Sequence, residues 1–158
     1  MAAVGSPYPC GGPGPARIRR FLDDNAVRGL LCPVNVTFSR DELELRSRQF
    51  AIDALILAKQ LGDTKELRDV VRQLTRASSS VGAKHRAMRR ARSFKEFAAK
   101  LQIVVEEVDE TCYWLEIIHA TVGDEPRTVA LHREAVELRA IFSKARATTR
   151  HKLRQLVN

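Results

Sequence analysis

Apolar residues recur at steps of three and four along the chain from Ser39 onward, and no stretch alternates apolar and polar positions. Such steps place side chains on one face of an α-helix, whereas a half-buried strand requires alternation. The chain has no Pro between Ser39 and Pro126, so no Pro interrupts a helix over that span. The pattern predicts an all-α domain over residues 39–158.

The ends of the predicted helices are marked by residues that favour capping and chain reversal. Ser, Thr or Asp can accept a hydrogen bond from a free backbone N–H at a helix start, and Gly lets the backbone leave a helix end. Ser93 with Glu96 three residues later has the spacing of a capping box. The boundaries are, in chain order, Ser39 or Asp41, Gly62, Asp63 or Thr64, Arg92 with Ser93, Gly123 with Asp124, and Pro126.

Each of the four predicted helices carries an apolar stripe that we expect to face a common core. Helices of this length joined by short turns pack most economically as antiparallel neighbours. The predicted fold is therefore an antiparallel up-down-up-down four-helix bundle. The expected stripes are Leu43, Phe50, Ala54, Leu57 and Leu61; Leu67, Val70, Val71, Leu74, Val81 and Met88; Phe97, Leu101, Val104, Val105, Val108, Cys112, Leu115 and Ile118; and Val129, Val136, Leu138, Ile141, Phe142 and Leu153.

The second helix contains small residues that form helices poorly as a group, namely Ala77, Ser78, Ser79, Ser80, Gly82 and Ala83. Gly82 alone costs about 1 kcal/mol relative to Ala. We expect the small side chains to let a bulky neighbour approach, with Tyr113 and Trp114 of the third helix as the candidates. The alternative is that the serines form a solvated face.

Residues 1–38 differ in composition from the rest and are predicted to be a disordered tail. The first fifteen residues hold four Gly and four Pro, which cannot bury enough apolar surface to offset chain entropy. A short helix around Ile18, Phe21 and Leu22 is conceivable, but Cys32 and Pro33 interrupt it and no partner segment is evident. The alternative is that translation begins downstream of this stretch.

The cysteine pattern and the hydropathy indicate a cytoplasmic protein. The three cysteines are odd in number and lack a Cys-x-x-Cys pair, which argues against a disulfide framework and a zinc ribbon. The sequence has no apolar run of about 18 residues and no signal-peptide pattern.

The segment from Gln73 to Ile118 resembles the four-helix bundle protein family, also called the 23S rRNA intervening-sequence protein family. The likeness extends more weakly from Asp41 to about Lys152. The residues that carry it are Gln73, Leu74, Arg76, Ser80 to Ala83, Arg86, Arg92, Ser93, Phe97, Lys100, Leu101, Glu106, Glu107, Asp109 to Thr111, and Tyr113 to Glu116.

This resemblance implies a left-handed antiparallel bundle that assembles as a ring, typically a homopentamer, with no known enzymatic activity. The chain is also similar to the accessory protein of diversity-generating retroelements, a basic pentameric bundle that binds RNA and a reverse transcriptase. Lys84, His85 and Ala87 depart from the family pattern, which usually has Asn, an aromatic residue such as Tyr, and Glu there. The family name refers to gene location, so membership alone does not make rRNA the ligand.

The net charge of +8, from 27 Lys and Arg against 19 Asp and Glu, favours a polyanionic partner. Two zones concentrate this charge, one around the second turn and one in the last helix, which we expect on the C-terminal side of the third helix. In the first zone, Arg86, Arg89 and Arg90 could instead pair with acidic residues of the facing helix, within a subunit or across a subunit boundary; these are Glu106, Glu107 and Glu110. The candidate nucleic-acid-binding residues are Lys84, Arg86, Arg89, Arg90, Arg139, Lys144, Arg146, Arg150, Lys152 and Arg154.

Catalytic and metal-binding patterns are weak. A di-iron bundle requires two Glu-x-x-His motifs, and only Glu116 with His119 fits. Cys112 lies on an apolar stripe, where an inert thiol is expected. Phe94 and Phe97 near the first basic zone have helical spacing, which favours core packing over base stacking.

These observations together predict a protein that is not an enzyme and has no cofactor or metal. We expect the chain to form an oligomer, with a homopentamer as the expected size. We expect this oligomer to bind rRNA, another structured RNA or a nucleoprotein complex such as one with a reverse transcriptase. The alternative is a protein-interaction ring without nucleic-acid binding. No membrane partner is predicted.

Overall fold

The computed structural model describes residues 39–62 and 65–157, with the side chains of Arg40, Leu156 and Val157 excepted. The predicted tail, 1–38, lies outside the described residues. Within them the chain forms four helices and no strand. The helices are α1 (Arg40–Leu61), α2 (Arg68–Met88), α3 (Phe94–Val122) and α4 (Pro126–Val157).

Successive helices pack side by side, and α4 returns to α1, so the four helices form a closed bundle. Arg89 at the end of α2 contacts Asp41 at the start of α1. Arg146, late in α4, contacts Gln102, early in α3. Neighbours therefore run antiparallel, which confirms the predicted fold class. None of the described helices is both long enough and apolar enough to cross a bilayer.

The predicted start and stop signals of α1 and α3 are confirmed. Ser39 caps α1 in a full capping box with Glu42, and its Oγ accepts a hydrogen bond from the Glu42 N–H at 3.1 Å. The Ser93 side chain likewise caps α3 by accepting a hydrogen bond from the Glu96 N–H. The Glu96 carboxylate, however, accepts its hydrogen bond from the N–H of Arg92 (2.7 Å). Gly62 and Gly123 follow α1 and α3 with φ of 74° and 92°, a region in which Gly is favoured.

The starts of α2 and α4 differ from the simple capping pattern. Asp63 and Thr64, the predicted caps of α2, lie outside the described residues, and α2 begins at Arg68 after Leu67, which makes no side-chain cap hydrogen bond. At α4 the predicted Pro126 is the first helical residue. The Glu125 carboxylate accepts a hydrogen bond from the backbone N–H of Thr128 at 2.6 Å, so it caps α4 from a position that the sequence pattern did not single out.

The core follows the predicted stripes of the first three helices more closely than that of α4. Val129 and Val136 were expected inside but are 38% and 37% exposed, so this part of the prediction is wrong. Alanines, which were not counted as stripe positions, occupy the inner face in their place. The buried apolar residues of α4 are Leu131, Ala135, Leu138, Ile141, Phe142 and Ala145.

Gly82 in α2 allows a close approach of α1, whereas the small residues of α2 were predicted to admit Tyr113 and Trp114 of α3. A Cβ on Gly82 would lie 3.2 Å from the backbone oxygen of Ser47 in α1. Trp114 is only partly buried against the core, and its indole N–H donates to Glu110 at 3.1 Å. Tyr113 is 53% exposed. Gly82 therefore serves a backbone contact between α1 and α2.

Candidate nucleic-acid interface

The arginines near the end of α2 are partly neutralised by α1. The guanidinium group of Arg89 donates hydrogen bonds to Asp41 (2.9 Å) and to Glu44. Arg86 lies 3.9 Å from Glu44 and is more exposed. Carboxylate pairing was expected as an alternative. Within one chain the partners are on α1 and not on α3, because this face of α2 turns toward α1, and pairing across a subunit boundary stays a prediction. The guanidinium group of Arg89 is therefore already engaged by two carboxylates and is less available to bind a ligand.

Lys84 and Arg90 remain exposed. Lys84 lies on the α3 side of α2. The pKa of Glu107 is raised, mainly by burial and next by the charge of Glu110. The positive charge of Lys84 partly opposes this rise. Arg90 has no carboxylate within ion-pair distance among the residues that the structure describes. Of the four predicted site residues on α2 and directly after it, Arg90 is therefore the one placed best to meet a ligand at the turn.

Two of the predicted nucleic-acid-binding residues on α4 form hydrogen bonds with α3 in the seam between the two helices. Arg139 donates to Asp109 at 2.9 Å, and Arg146 donates to Gln102 at 3.2 Å. Further along the seam His132 lies 3.5 Å from Glu116. Successive pairs are seven residues apart on both helices, which is the step that keeps positions on one helix face. The expectation that this zone lacks acidic companions is therefore wrong for Arg139.

Lys144 also has an interaction partner, so it is not counted among the unpaired cations. Beyond it, three predicted site residues occupy the last turns of α4. Arg150 and Arg154 are exposed, and Lys152 is half-buried. No carboxylate of the described residues lies within ion-pair distance of any of the three.

The contact between Arg146 and Gln102 places the last turns of α4 beside the first turns of α3. Both helices rise about 1.5 Å per residue, so Arg150 lies near the level of Ala98 and Arg154 near that of Phe94. The α4 zone was expected on the C-terminal side of α3, and this expectation is wrong because the two helices are antiparallel. The two basic zones lie at the same end of the bundle.

We call this surface the basic end. Arg92 and Lys95 in and after the turn between α2 and α3 are exposed cations that the site prediction had left out. The sequence shows both residues, but only the fold places them beside α4. The basic end consists of Arg90, Arg92, Lys95, Arg150, Lys152 and Arg154.

The carboxylates at this end are already engaged. Asp41 and Glu44 bind Arg89, and Glu42 belongs to the capping box of α1. Glu96 lies 3.0 Å from the Nζ of Lys100 and also accepts the hydrogen bond from the N–H of Arg92, which is the main cause of its lowered pKa. The six cations of the basic end therefore have little local neutralisation.

The residues weighed for other chemistry have ordinary surroundings. Cys112 is buried, and burial raises the pKa of its thiol. His119 lies 3.6 Å from Asp124, away from the core. Among the described residues, no group of three or more His, Cys, Asp or Glu side chains could hold a metal ion.

The comparisons with known proteins agree with this architecture. The family model described as 23S rRNA-intervening sequence protein matches residues 42–144, more than half of the chain. The chain belongs to the 23S rRNA-intervening sequence protein family. The family match ends at Lys144, so the last turns of α4, with half of the basic end, lie beyond it. The comparison with curated proteins gave no match.

A solved structure gives further support for the fold within this family. It is a crystal structure of a protein of unknown function from the S23 ribosomal protein family of Bacteroides thetaiotaomicron, 26% identical to this chain, with a TM-score of 0.60. The similarity covers 65% of this chain and 96% of the other. Nearly the whole of that protein therefore corresponds to part of this one.

Proposed function

We propose that the basic end binds the phosphate backbone of a structured RNA, either free or within a nucleoprotein complex. The observation that carries the proposal is the contact between Arg146 and Gln102, which brings the last turns of α4 to the turn between α2 and α3. The six cations would otherwise form two weak groups at opposite ends. Side by side, they offer phosphate a surface with little competition from carboxylates.

Because the family name refers to gene location, it does not by itself make RNA the ligand, and the proposal rests on the charge of the basic end. The aromatic residues near the basic end do not favour base stacking. Phe97 is buried, and Phe94 is partly buried against the core. Recognition would therefore rest on phosphate contacts and on the shape of the RNA. No catalytic step is part of the proposal.

A ring of copies, with a homopentamer as the expected size, would raise the affinity of such a surface. In a ring, several weak sites can engage one RNA, provided that it reaches more than one copy. An aliphatic stripe on the outside of α1 supports self-association, because Leu45, Ile52 and Ile56 follow at steps of seven and four and are all exposed. Leu45 is the most exposed of them, at 61%.

RNA retention tests the proposal against a charge-matched control. Arg90→Gln, Arg150→Gln and Arg154→Gln together should abolish retention on an immobilised rRNA fragment at about 150 mM salt. Lys59→Gln, Lys65→Gln and Arg127→Gln remove the same charge at the opposite end, where these exposed residues lie. This control should retain the RNA. Equal retention by both triple variants would contradict the basic end as the interface, and circular dichroism checks that both remain helical.

The alternative function, a protein-interaction ring, predicts a different pair of results. The arginines engaged with carboxylates, Arg89 and Arg139, favour it. Unmodified protein would then pass through the RNA column at about 150 mM salt while light scattering still reports an oligomer. A monomer at micromolar concentration would contradict the ring in both functions.

A further inference from the structure

The outward faces of α1 and α3 lie on opposite sides of the bundle. Both α1 and α3 pack against α2 and α4, so α1 and α3 are diagonal to each other. The residues that point outward from one of them therefore point away from the other. A contact between these two faces requires two copies of the chain.

The outward face of α1 is aliphatic and positively charged. Its exposed residues are Leu45, Arg48, Ile52, Leu55, Ile56 and Lys59. Leu45 is 61% exposed and Leu55 43%. Among the residues that the structure describes, no carboxylate lies within ion-pair distance of Arg48 or Lys59. Four aliphatic side chains in one exposed row mark a surface that binds another molecule.

The outward face of α3 is apolar and negatively charged. Ile103 and Tyr113 are 39% and 53% exposed on it, and Glu106 and Glu110 stand between them. Each of the two carboxylates accepts a hydrogen bond from a neutral side chain of α3. Neither has a cation within ion-pair distance in the described part of the chain. This face is thus complementary in charge to that of α1.

We propose that the outward face of α1 in one copy packs against the outward face of α3 in a second copy, with Arg48 paired to Glu106. This contact rests on the self-association that the proposed function includes, and it names the surfaces that join. The apolar residues of the two faces cover each other, and opposite charges fix their register. Because the two faces differ, the contact is heterologous, and repeating it gives a ring where the rotation closes.

Arg48 and Glu106 stand at nearly the same height in the bundle. A Cβ on Gly82 of α2 would lie 3.7 Å from the Cα of Arg48. The Nζ of Lys100 in α3 donates to the carbonyl oxygen of Ala87, five residues further along α2, at 3.3 Å. At about 1.5 Å per residue, Arg48 and Glu106 lie about 8 and 9 Å from the level of this hydrogen bond.

The apolar residues of the two faces follow the same spacing. Three residues before the charged pair stand Leu45 and Ile103, and seven residues after it stand Leu55 and Tyr113. Two copies placed side by side with α1 and α3 parallel therefore bring these residues opposite each other without sliding. In that arrangement the basic ends of all copies lie on one side, where a single RNA can reach several of them.

Charge reversal across the contact tests the proposal in the full-length chain. Arg48→Glu and Glu106→Arg each place like charges opposite each other, so either change should raise the dissociation constant of the oligomer about tenfold or more. The two changes together restore opposite charges and should restore assembly. Arg133→Glu, at an exposed position of α4 on neither face, is the control and should assemble normally. Light scattering over a dilution series measures assembly, and circular dichroism checks the fold.

Two sets of results decide the matter. Weaker assembly in both single variants, recovered in the double variant, supports the contact. It is overturned by a monomeric unmodified protein, by a single variant that assembles as tightly as the control, or by a double variant that stays dissociated. No variant alters the basic end, and assembly is measured without RNA. An oligomer that passes through the RNA column would contradict the RNA function and leave this contact intact.

Discussion

The Nδ1 atom of His85 in α2 lies 3.0 Å from the Oγ of Ser47 in α1, in the interior of the bundle. The hydroxyl of Ser47 donates its own hydrogen to the carbonyl oxygen of Leu43 at 2.8 Å. Ser47 therefore accepts from His85, and the neutral imidazole carries its hydrogen on Nδ1. The ring of Phe142 packs against the imidazole edge to face at 5.1 Å. A histidine is thus held in the core in its uncharged form.

This buried histidine predicts acid sensitivity. Burial lowers the pKa of His85 to about 4, with the charge of Glu44 acting against the shift. Because the unfolded chain takes up the proton near pH 6.5, stability is complete above that pH and falls as the pH drops toward 4. The loss should reach roughly 3 kcal/mol by about pH 4.

Thermal unfolding from pH 7 to pH 4.5 checks this prediction against His85→Phe. Phe keeps the aromatic contact with Phe142 but cannot bind a proton, so the variant should lose less stability on acidification. The remaining loss comes from carboxylates such as Glu42 and Glu125, whose lowered pKa values also weaken the fold in acid. Parallel pH profiles for the two proteins would contradict the assignment to His85.

The close contact of α1 and α2 predicts a severe effect of bulk at Gly82. Gly82→Val should destabilise the bundle by about 1–3 kcal/mol, because the backbone of Ser47 leaves little room beyond the Cβ. Ala83→Val is the matched control, since Ala83 is exposed in the same helix. Urea unfolding should separate the two variants. Equal midpoints would mean that α1 can move away without cost.

Aromatic burial predicts a ranking. Phe142→Ala removes a fully buried ring and should cost about 3–5 kcal/mol. Trp114→Ala should cost less, about 2 kcal/mol, because the indole is only partly buried and its N–H binds an exposed Glu110. Chemical unfolding of both variants measures the order, and a larger loss for Trp114→Ala would show that its ring is more enclosed than the structure indicates.

Paired and unpaired arginines should differ in RNA binding. Arg150→Gln should reduce the slope of log affinity against log salt by about one, as expected for the loss of one phosphate contact. Arg139→Gln also removes one positive charge from α4, but Arg139 is paired with Asp109 and is not expected to contact phosphate. The slope of log affinity against log salt should therefore stay unchanged. Salt titrations of both variants decide the matter, and equal slopes would mean that Arg139 leaves Asp109 to bind RNA.

Local signals made much of the fold predictable from the sequence. The caps Ser39 and Ser93 and the breaks at Gly62 and Gly123 act through neighbouring residues, and they lie where the pattern predicted them. The apolar stripe of α4 was predicted partly wrongly, because buried alanines are small and were not counted as core positions. Large side chains such as Val129 drew attention although they lie on the outer face.

The candidate site was less predictable because it depends on which helix faces which. The sequence shows that Arg89 needs a carboxylate but not that Glu44 of α1 is nearer than the acids of α3. The sequence also does not show the register of α3 and α4, that is, which residues of the two helices lie opposite each other. The contact of Arg146 with Gln102 had to be seen before the two basic zones could be joined.

The basic end concentrates positive charge at one tip of the described bundle. A polyanion at a distance would feel this asymmetry before it touches any side chain, and the bundle would rotate so that its positive tip leads. Productive collisions would then be more frequent than random orientation allows, with an advantage that fades as added ions screen the field over about 10 Å at 0.1 M salt.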